Sequence, residues 1–328
     1  MNKKNSSVGL IGLGYWGKNL ARNLNDLGVL SAICDINKNY LEKYKKIYSI
    51  SQCYNNLEQL LLSNIDAVVI ATPAATHGSI VRKALNSGKH VFVEKPLCLD
   101  VAEGEELKDL AEEKKLKLMV GHLLLYHPAF IELKKKVQEG KLGKIRYIYS
   151  NRLSLGKLRK EEDALWSFAP HDISMILSLV QSEPTKIDAF GGYYLRNDIA
   201  DTTITLLEFF NGIKAHVYVS WLHPYKDQRL IVVGDKAMAA FVDVEEDNKK
   251  LMLYEHNVAW NDNIPIIEKA EGKSIIFDHT KEPLKEECKS YIDWLNNKII
   301  PPSDVSEGLK VLKVLDEAKN QLRKNNNK

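Results

Sequence analysis

Residues 8–35, VGLIGLGYWGKNLARNLNDLGVLSAICD, limit the possible folds more than any other stretch of the chain. They open with apolar Val8, Leu10 and Ile11, turn on Gly12, Gly14 and Gly17, and continue as a helical pattern to about Leu27. A second apolar run, Leu30 to Cys34, ends on Asp35. Strand, glycine turn, helix, strand and terminal acid make the dinucleotide-binding fingerprint in the context it requires. Gly12 permits the tight turn, Gly14 lets a pyrophosphate approach the backbone without a clashing Cβ, and Gly17 lets the helix pack close to the strand. The helix start offers free N–H groups and a partial positive charge to phosphates. Asp35 stands where an acid accepts hydrogen bonds from ribose hydroxyls. A 2′-phosphate beside that carboxylate costs on the order of a few kcal/mol at an effective dielectric near 20. No Arg follows directly, only Asn37 and Lys38, so the pattern favours NAD over NADP.

The 328 residues suit two domains and can bury a large core. A net charge of +3 is nearly balanced, which argues against a nucleic-acid surface. Cys34, Cys53, Cys98 and Cys288 are scattered without a CxxC pair and read as the reduced thiols of a cytoplasmic protein. MNKKNSS leads straight into the first strand, leaving no room for a signal peptide, and no apolar run approaches a membrane span.

The first part of the chain alternates strand and helix. Helices are expected over 38–47, 56–62, 76–87 and 102–115, the last begun by Asp100, with strands at 67–70, 91–93 and 116–120. Short apolar strands alternating with helices predict an α/β fold, a doubly wound parallel Rossmann sheet with its ligand site at the carboxyl ends of the strands. Three strand ends then matter: Gly12–Gly17, Ala71-Thr72-Pro73 and Glu94-Lys95-Pro96. Charged residues and Pro also commonly end a strand, but at this edge Lys95 is a candidate to hold a substrate oxygen.

Glu94-Lys95-Pro96 after the fifth strand, Ala71-Thr72-Pro73 followed by His77, and the N-terminal GLGYWG together resemble the Gfo/Idh/MocA oxidoreductases over nearly the whole chain. The resemblance implies an NAD-binding domain over residues 1–122, a substrate-binding and oligomerisation domain with a large, mostly antiparallel sheet over 123–302, and a C-terminal helix, 303–328, packing back on the first domain. It places Tyr15, Trp16, Ala71, Thr72, Pro73, His77 and Glu94 with the glycines and Asp35 around the cofactor. It puts Lys95 beside the nicotinamide and the reacting hydroxyl, with a Lys-Pro bond that is often cis.

In the second half, a helix from His127-Pro128 to about Glu139 precedes a strand over 145–152 and a polar loop, 153–164. Residues 171–180 read as a helix opened by Pro170 and His171. Strands follow at 185–191, 202–210, 213–221, 229–233 and 237–242, with Asn211-Gly212 as a hairpin turn. A helix over 284–297 should bury Tyr291, Trp294 and Leu295. By residues alone, His171 is either a helix-start residue bonding locally or a base. The resemblance implies the base, paired with an Asp four residues earlier, where this chain has Ser167. A serine cannot stabilise an imidazolium as a carboxylate does, so Lys95 as the base stays open.

Oxidising a secondary alcohol removes a hydride from carbon and a proton from oxygen; the cofactor carries the hydride. A neutral His suits the proton, and a Lys ammonium steadies the alkoxide. GHLLLYHP (121–128), GKLRKEED (156–163) and LWSFAPHDIS (165–174) most resemble the nucleotide-sugar branch of the family, of the UDP-N-acetylglucosamine 3-dehydrogenase type. Its uronate counterpart, a free-sugar or inositol dehydrogenase, and a non-catalytic NAD sensor remain alternatives. Arg152, Lys157 and Arg159 either meet a diphosphate or form a solvated basic surface. Tyr126 and Trp166 either stack on sugar or uracil rings or belong to the core. His122 ends a strand at the active edge and is expected in the substrate cleft. No metal is expected: His122 and His127 have poor ligand spacing. Exposed sheet faces predict a homodimer or homotetramer.

Overall fold

The apolar run at the start of the fingerprint forms β1 (Val8–Ile11), buried at every position, as a strand covered on both faces requires. In this computed structural model, which describes residues 6–156, 158–160 and 162–326, the chain divides into two units. One comprises Met1–Leu123 with Glu282–Leu312, the other Leu124–Lys281 with Lys313–Lys328.

From β1 the first unit alternates: α1 (Gly17–Asp26), β2 (Leu30–Cys34), α2 (Lys38–Tyr48), β3 (Gln52–Tyr54), α3 (Leu57–Leu62), β4 (Ala67–Ile70), α4 (His77–Asn86), β5 (His90–Glu94), α5 (Val101–Glu113) and β6 (Leu118–Gly121). The strands pair in the order β3-β2-β1-β4-β5-β6, every neighbour parallel. This is the expected Rossmann sheet. Its order reverses between β1 and β4, and such a reversal opens a crevice at the carboxyl ends of the strands. Asn37, Asn56 and Asp100 cap α2, α3 and α5 with their side chains. Strand β3 was not expected: three half-buried residues at a sheet edge carry no periodic signal.

The second unit contains α6 (Pro128–Gln138), β7 (Ile145–Leu153), α7 (Ala164–Val180), β8 (Lys186–Gly192), β9 (Thr202–Glu208), β10 (Lys214–Ser220), β11 (Asp227–Gly234), β12 (Met238–Val242), α8 (Asp247–Lys250), β13 (Leu251–Tyr254), β14 (Asn257–Asn261), β15 (Ile264–Glu268) and β16 (Lys273–Ser274). Eight strands form one sheet, β16-β13-β12-β11-β7-β10-β9-β8, antiparallel except where β10 runs parallel to β7. The Asn211-Gly212 turn joins β9 to β10 as expected, with Gly212 at φ +80°. Alternation sorts the two faces: Thr203, Thr205, Leu207, Ala215, Val217 and Val219 are buried, and α7 packs against β7, β9 and β10. The short elements β13 to β16 and α8 lie beyond what the sequence pattern resolves.

Two expectations need correction. Helix α7 begins at Ala164, capped by the Asp163 carboxylate accepting from the Trp166 N–H at 2.9 Å; Pro170 and His171 therefore sit inside the helix, not at its start. The cap and an apolar run of Leu165, Trp166 and Ala169 outweigh the single hydrogen bond that Pro170 removes. The domain boundary also moves. Helix α9 (Pro283–Leu295) belongs with the first unit, as does the first part of α10 (Val305–Asn326). Leu284, Cys288 and Tyr291 of α9 are buried, whereas Trp294 and Leu295 are only half-buried, and the Tyr291 ring meets Phe92 of β5 edge-on.

Candidate active site

The cofactor side of the first unit is built from backbone. Gly12 turns the chain at φ +92°, and a Cβ there would stand 2.6 Å from the Ala71 carbonyl oxygen. A Cβ on Gly17 would meet the Gly12 carbonyl oxygen at 2.0 Å. Nothing lies within 4 Å of a Cβ built on Gly14. In addition, α1 has no side-chain cap at Trp16 and no acid in its first turn, in contrast to the capped α2, α3 and α5. Open space before an uncapped helix N-terminus is what a diphosphate needs, so these residues fit a dinucleotide.

Asp35 follows β2 and braces this turn. Its Oδ2 accepts from the Leu13 N–H and its Oδ1 from the Asn37 N–H, each at 2.7 Å. Ala71, Thr72 and Pro73 follow β4, and His77 lies buried behind them. Its Nδ1 lies 2.7 Å from the Pro96 carbonyl oxygen and its Nε2 2.9 Å from that of Thr72, so the ring ties the β4 turn to the loop after β5. Tyr15 is 78% exposed, under the Lys18 ammonium. Trp16 donates its indole N–H to Glu94, joining the glycine turn to the end of β5. Burial raises the Glu94 carboxyl to about 7, against the Trp16 N–H and the Lys95 ammonium, which favour its ionised form. Lys95 itself is half-buried, and the Lys95–Pro96 bond is cis.

His122 does not line an open edge. Its ring is 1% exposed and its Nδ1 lies 2.6 Å from Glu307 Oε2, both within the first unit. The chain folds back at α10, and the Val120 N–H donates to Ser303 O, which brings Glu307 over the end of β6.

In the second unit, Ser167 and His171 are four apart on α7 and so share a face; Ser167 is buried and His171 half-buried. Asp172 turns away from them to meet Arg152 of β7. Arg152 Nε donates to Oδ2 at 2.8 Å and Nη2 to Oδ1 at 3.1 Å, while Ser150 Oγ donates to Oδ1 at 2.6 Å. A fork-to-fork pair this buried (10% and 0% side-chain exposure) orients a helix against a strand. Arg152 is thus engaged inside its own unit, as His122 is in the first. Tyr126 and Trp166 are each 4% exposed, and the Lys319 ammonium lies 5.5 Å from the Trp166 ring centroid. Arg159 remains at the surface, 3.5 Å from Glu162. Lys157 lies outside the described residues.

Sequence reasoning missed Glu307 and Asp172 as partners of His122 and Arg152, and it missed the buried Glu287. Glu287 does leave a signal: it sits with Leu284, Cys288 and Tyr291 on the apolar stripe of α9, where a lone acid is out of place.

A family model described as the oxidoreductase family with NAD-binding Rossmann fold (GFO_IDH_MocA) matches residues 6–122, and that of the GFO/IDH/MocA C-terminal domain matches residues 130–240. UDP-N-acetylglucosamine 3-dehydrogenase of Acidithiobacillus ferrooxidans is 29% identical over 65% of this chain, which spans 66% of that protein's length, just under two thirds. The solved structure of GnnA from the same organism superposes with a TM-score of 0.86 at 23% identity, covering 98% of this chain and 99% of that one. The scyllo-inositol 2-dehydrogenase (NAD(+)) of Bacillus subtilis is 28% identical over 69% of this chain and 70% of its own. The WlbA dehydrogenase of Bordetella pertussis, solved with NADH and UDP-GlcNAcA, superposes with a TM-score of 0.80 at 21% identity over 98% of each chain. Among the described residues no helix is long and apolar enough to cross a membrane.

Three expected outcomes follow from the site's packing. Gly14→Val leaves thermal stability within about 0.5 kcal/mol but weakens NADH roughly tenfold or more in a fluorescence titration, because the new side chain fills phosphate space. Gly17→Ala instead unfolds at lower urea, by about 1–3 kcal/mol, since a backbone carbonyl must give way. Arg152→Ala lowers stability by about 3–5 kcal/mol in the same measurement, because it strands a buried carboxylate; a loss under 1 kcal/mol would mean that Asp172 has another partner.

Proposed function

The chain belongs to the Gfo/Idh/MocA oxidoreductase family, and from that premise we propose that it oxidises the C3 hydroxyl of a UDP-linked N-acetylglucosamine with NAD, giving a 3-keto sugar suited to later transamination. The observation that carries the NAD-dependent reaction is the glycine cradle: open space at Gly14 before an uncapped α1, on the same sheet edge as Lys95. When bound, the cofactor supplies a hydride acceptor; the remaining work falls to side chains. The helix N-terminus and the backbone of residues 12–17 hold the diphosphate. Asp35 accepts from ribose hydroxyls with the lone pairs its two backbone donors leave free. His171 takes the proton of the hydroxyl being oxidised, a task matched to an imidazole near neutrality. Lys95 stabilises the negative charge that grows on the same oxygen.

The UDP-sugar substrate is supported by the names of the Acidithiobacillus and Bordetella relatives; the inositol dehydrogenase supports a cyclitol alternative. Arg159 and Lys160, exposed on the 153–164 loop, offer charge to a substrate diphosphate. Copies of the chain associate as a homodimer or homotetramer through the outer face of the eight-stranded sheet, where Phe190, Ile204 and Leu206 are 53%, 42% and 40% exposed.

NADH absorbance with UDP-N-acetylglucosamine, its uronate, free glucose and myo-inositol tests the reaction. An aminotransferase with glutamate draws off the keto product. Turnover confined to a UDP-sugar is expected; turnover of inositol alone would sink the nucleotide-sugar reading. His171→Ala and Lys95→Ala each lower kcat by roughly 10²-fold or more, with His171→Ala leaving NADH affinity within about twofold. Light scattering tests the assembly: Leu206→Arg yields single protomers, and a wild-type chain that is already monomeric at micromolar concentration refutes the interface.

A further inference from the structure

The carboxyl edge of the first unit carries side chains that the proposed reaction does not use. Glu94 ends β5 and pairs in register with Gly121 at the end of β6. His122 follows, bonded to Glu307 in the first turn of α10. Glu287 and Tyr291 come from the buried stripe of α9 and are both 0% exposed. Neither Glu287 oxygen, nor the Tyr291 hydroxyl, nor Glu307 Oε1 has a hydrogen-bond partner among the described residues. A carboxylate without a donor, sunk beside two other carboxyls, cannot remain ionised. Burial holds Glu287 well above the ordinary carboxyl range, and the charges of Glu94 and Glu307 raise it further. Glu94 is lifted to about 7 by burial, with Lys95, His122 and the Trp16 N–H opposing. The neighbouring Cys288 thiol is also pushed far up, by burial and then by Glu287, Glu94 and Glu282. A buried carboxyl with no donor is neutralised most simply by holding a proton, which is the ligand this cluster suits.

The strand order also says what faces the pocket. A 3-2-1-4-5-6 sheet is two mononucleotide-binding halves. Asp35, on the β2 side, serves one ribose, and the nicotinamide half falls to β4, β5 and β6. A nicotinamide ring is a cation when oxidised and neutral when reduced, and buried carboxyls near it feel that charge.

We propose that Glu94 and Glu287, flanked by Glu307 and His122, form a partly buried proton-holding site whose charge follows the cofactor: anionic opposite NAD, and one proton richer opposite NADH. This rests on the NAD-dependent reading above. The balance closes on that reaction alone. The substrate loses a hydride to the cofactor and a proton from its oxygen. One proton, that one or its equivalent from solvent, sits as a carboxyl O–H in this site and leaves when NADH does. Trp16 links the site to the glycine turn, because its N–H donor bond is to Glu94.

Dissociation constants for NAD and NADH, from protein fluorescence between about pH 6 and 9, test the proposal. Uptake of one proton makes the affinity ratio favour NADH by up to about tenfold per unit fall in pH near neutrality. Glu94→Gln removes the carboxyl that takes up the proton near neutrality, so the affinity ratio loses its inflection there. In the wild type, a group with a raised folded pKa contributes stability at low pH that is lost as pH rises. The thermal midpoint of Glu287→Gln should therefore gain on the wild type as pH increases. If either variant folds poorly, the wild type still decides: a protonated-carboxyl C=O band, sensitive to D₂O, appears in the NADH-minus-NAD infrared difference. A pH-independent ratio in the wild type, a Glu94→Gln ratio that keeps the wild-type inflection, or no carboxyl band overturns the proposal while leaving the NAD reading intact. Failure to bind either form overturns both.

Discussion

No side chain separates the first residue of α1 from the turn it springs from. A methyl group on Gly17 would drive into the Gly12 carbonyl, and one on Gly12 into that of Ala71. Two missing Cβ atoms thus let the end of β1, the start of α1 and the end of β4 cross at backbone contact distance. That crossing gathers the uncapped helix terminus, Asp35 and the Ala71–Pro73 turn on one edge of the sheet. The polar groups behind the edge reinforce it by bridging segments rather than by facing solvent: His77 spans the loops after β4 and β5, and Trp16 spans the glycine turn and Glu94.

The second unit solves a different problem. A long helix, α7, must present Ser167 and His171 on one face while burying most of its remaining surface against a sheet. Apolar packing alone is indifferent to small rotations of a helix. The planar fork of Arg152 on the Asp172 carboxylate is not, and Ser150 occupies part of the remaining acceptor capacity. The position next to His171 is therefore held by directed bonds. A buried pair of this kind adds little net stability, and its value lies in the orientation it imposes.

How much of this could be read from the residues depends on how local the signal is. Apart from β3, the parallel sheet was legible because its strands are short apolar runs and each glycine of the turn has one backbone reason to be there. Strands β7 to β12 of the second unit's sheet were legible, down to the Asn211-Gly212 hairpin, because alternation and turn chemistry agree. The start of α7 was misjudged because Pro170 is a stronger local sign than the quieter cap at Asp163. The engagement of His122 and Arg152 was hidden for another reason. Glu307 and Asp172 lie 185 and 20 residues away from them in sequence, and nothing in a window of sequence shows that such a pair will meet. Glu287 stood in plain view on an apolar stripe, but an acid there reads as an error of pattern until the neighbouring acids are seen.

Asp35 has a consequence for how cofactor preference can change. Admission of a 2′-phosphate begins with loss of this carboxylate, which repels it. Here the carboxylate is also the brace of the turn, holding the Leu13 amide with one oxygen and the Asn37 amide with the other. Replacement by a small neutral residue would orphan one backbone donor where β1 hands over to α1 and another where β2 hands over to α2. Evolution or engineering toward the phosphorylated dinucleotide must therefore install a substitute acceptor before, or together with, any new cation. Such a switch calls for a coordinated double change.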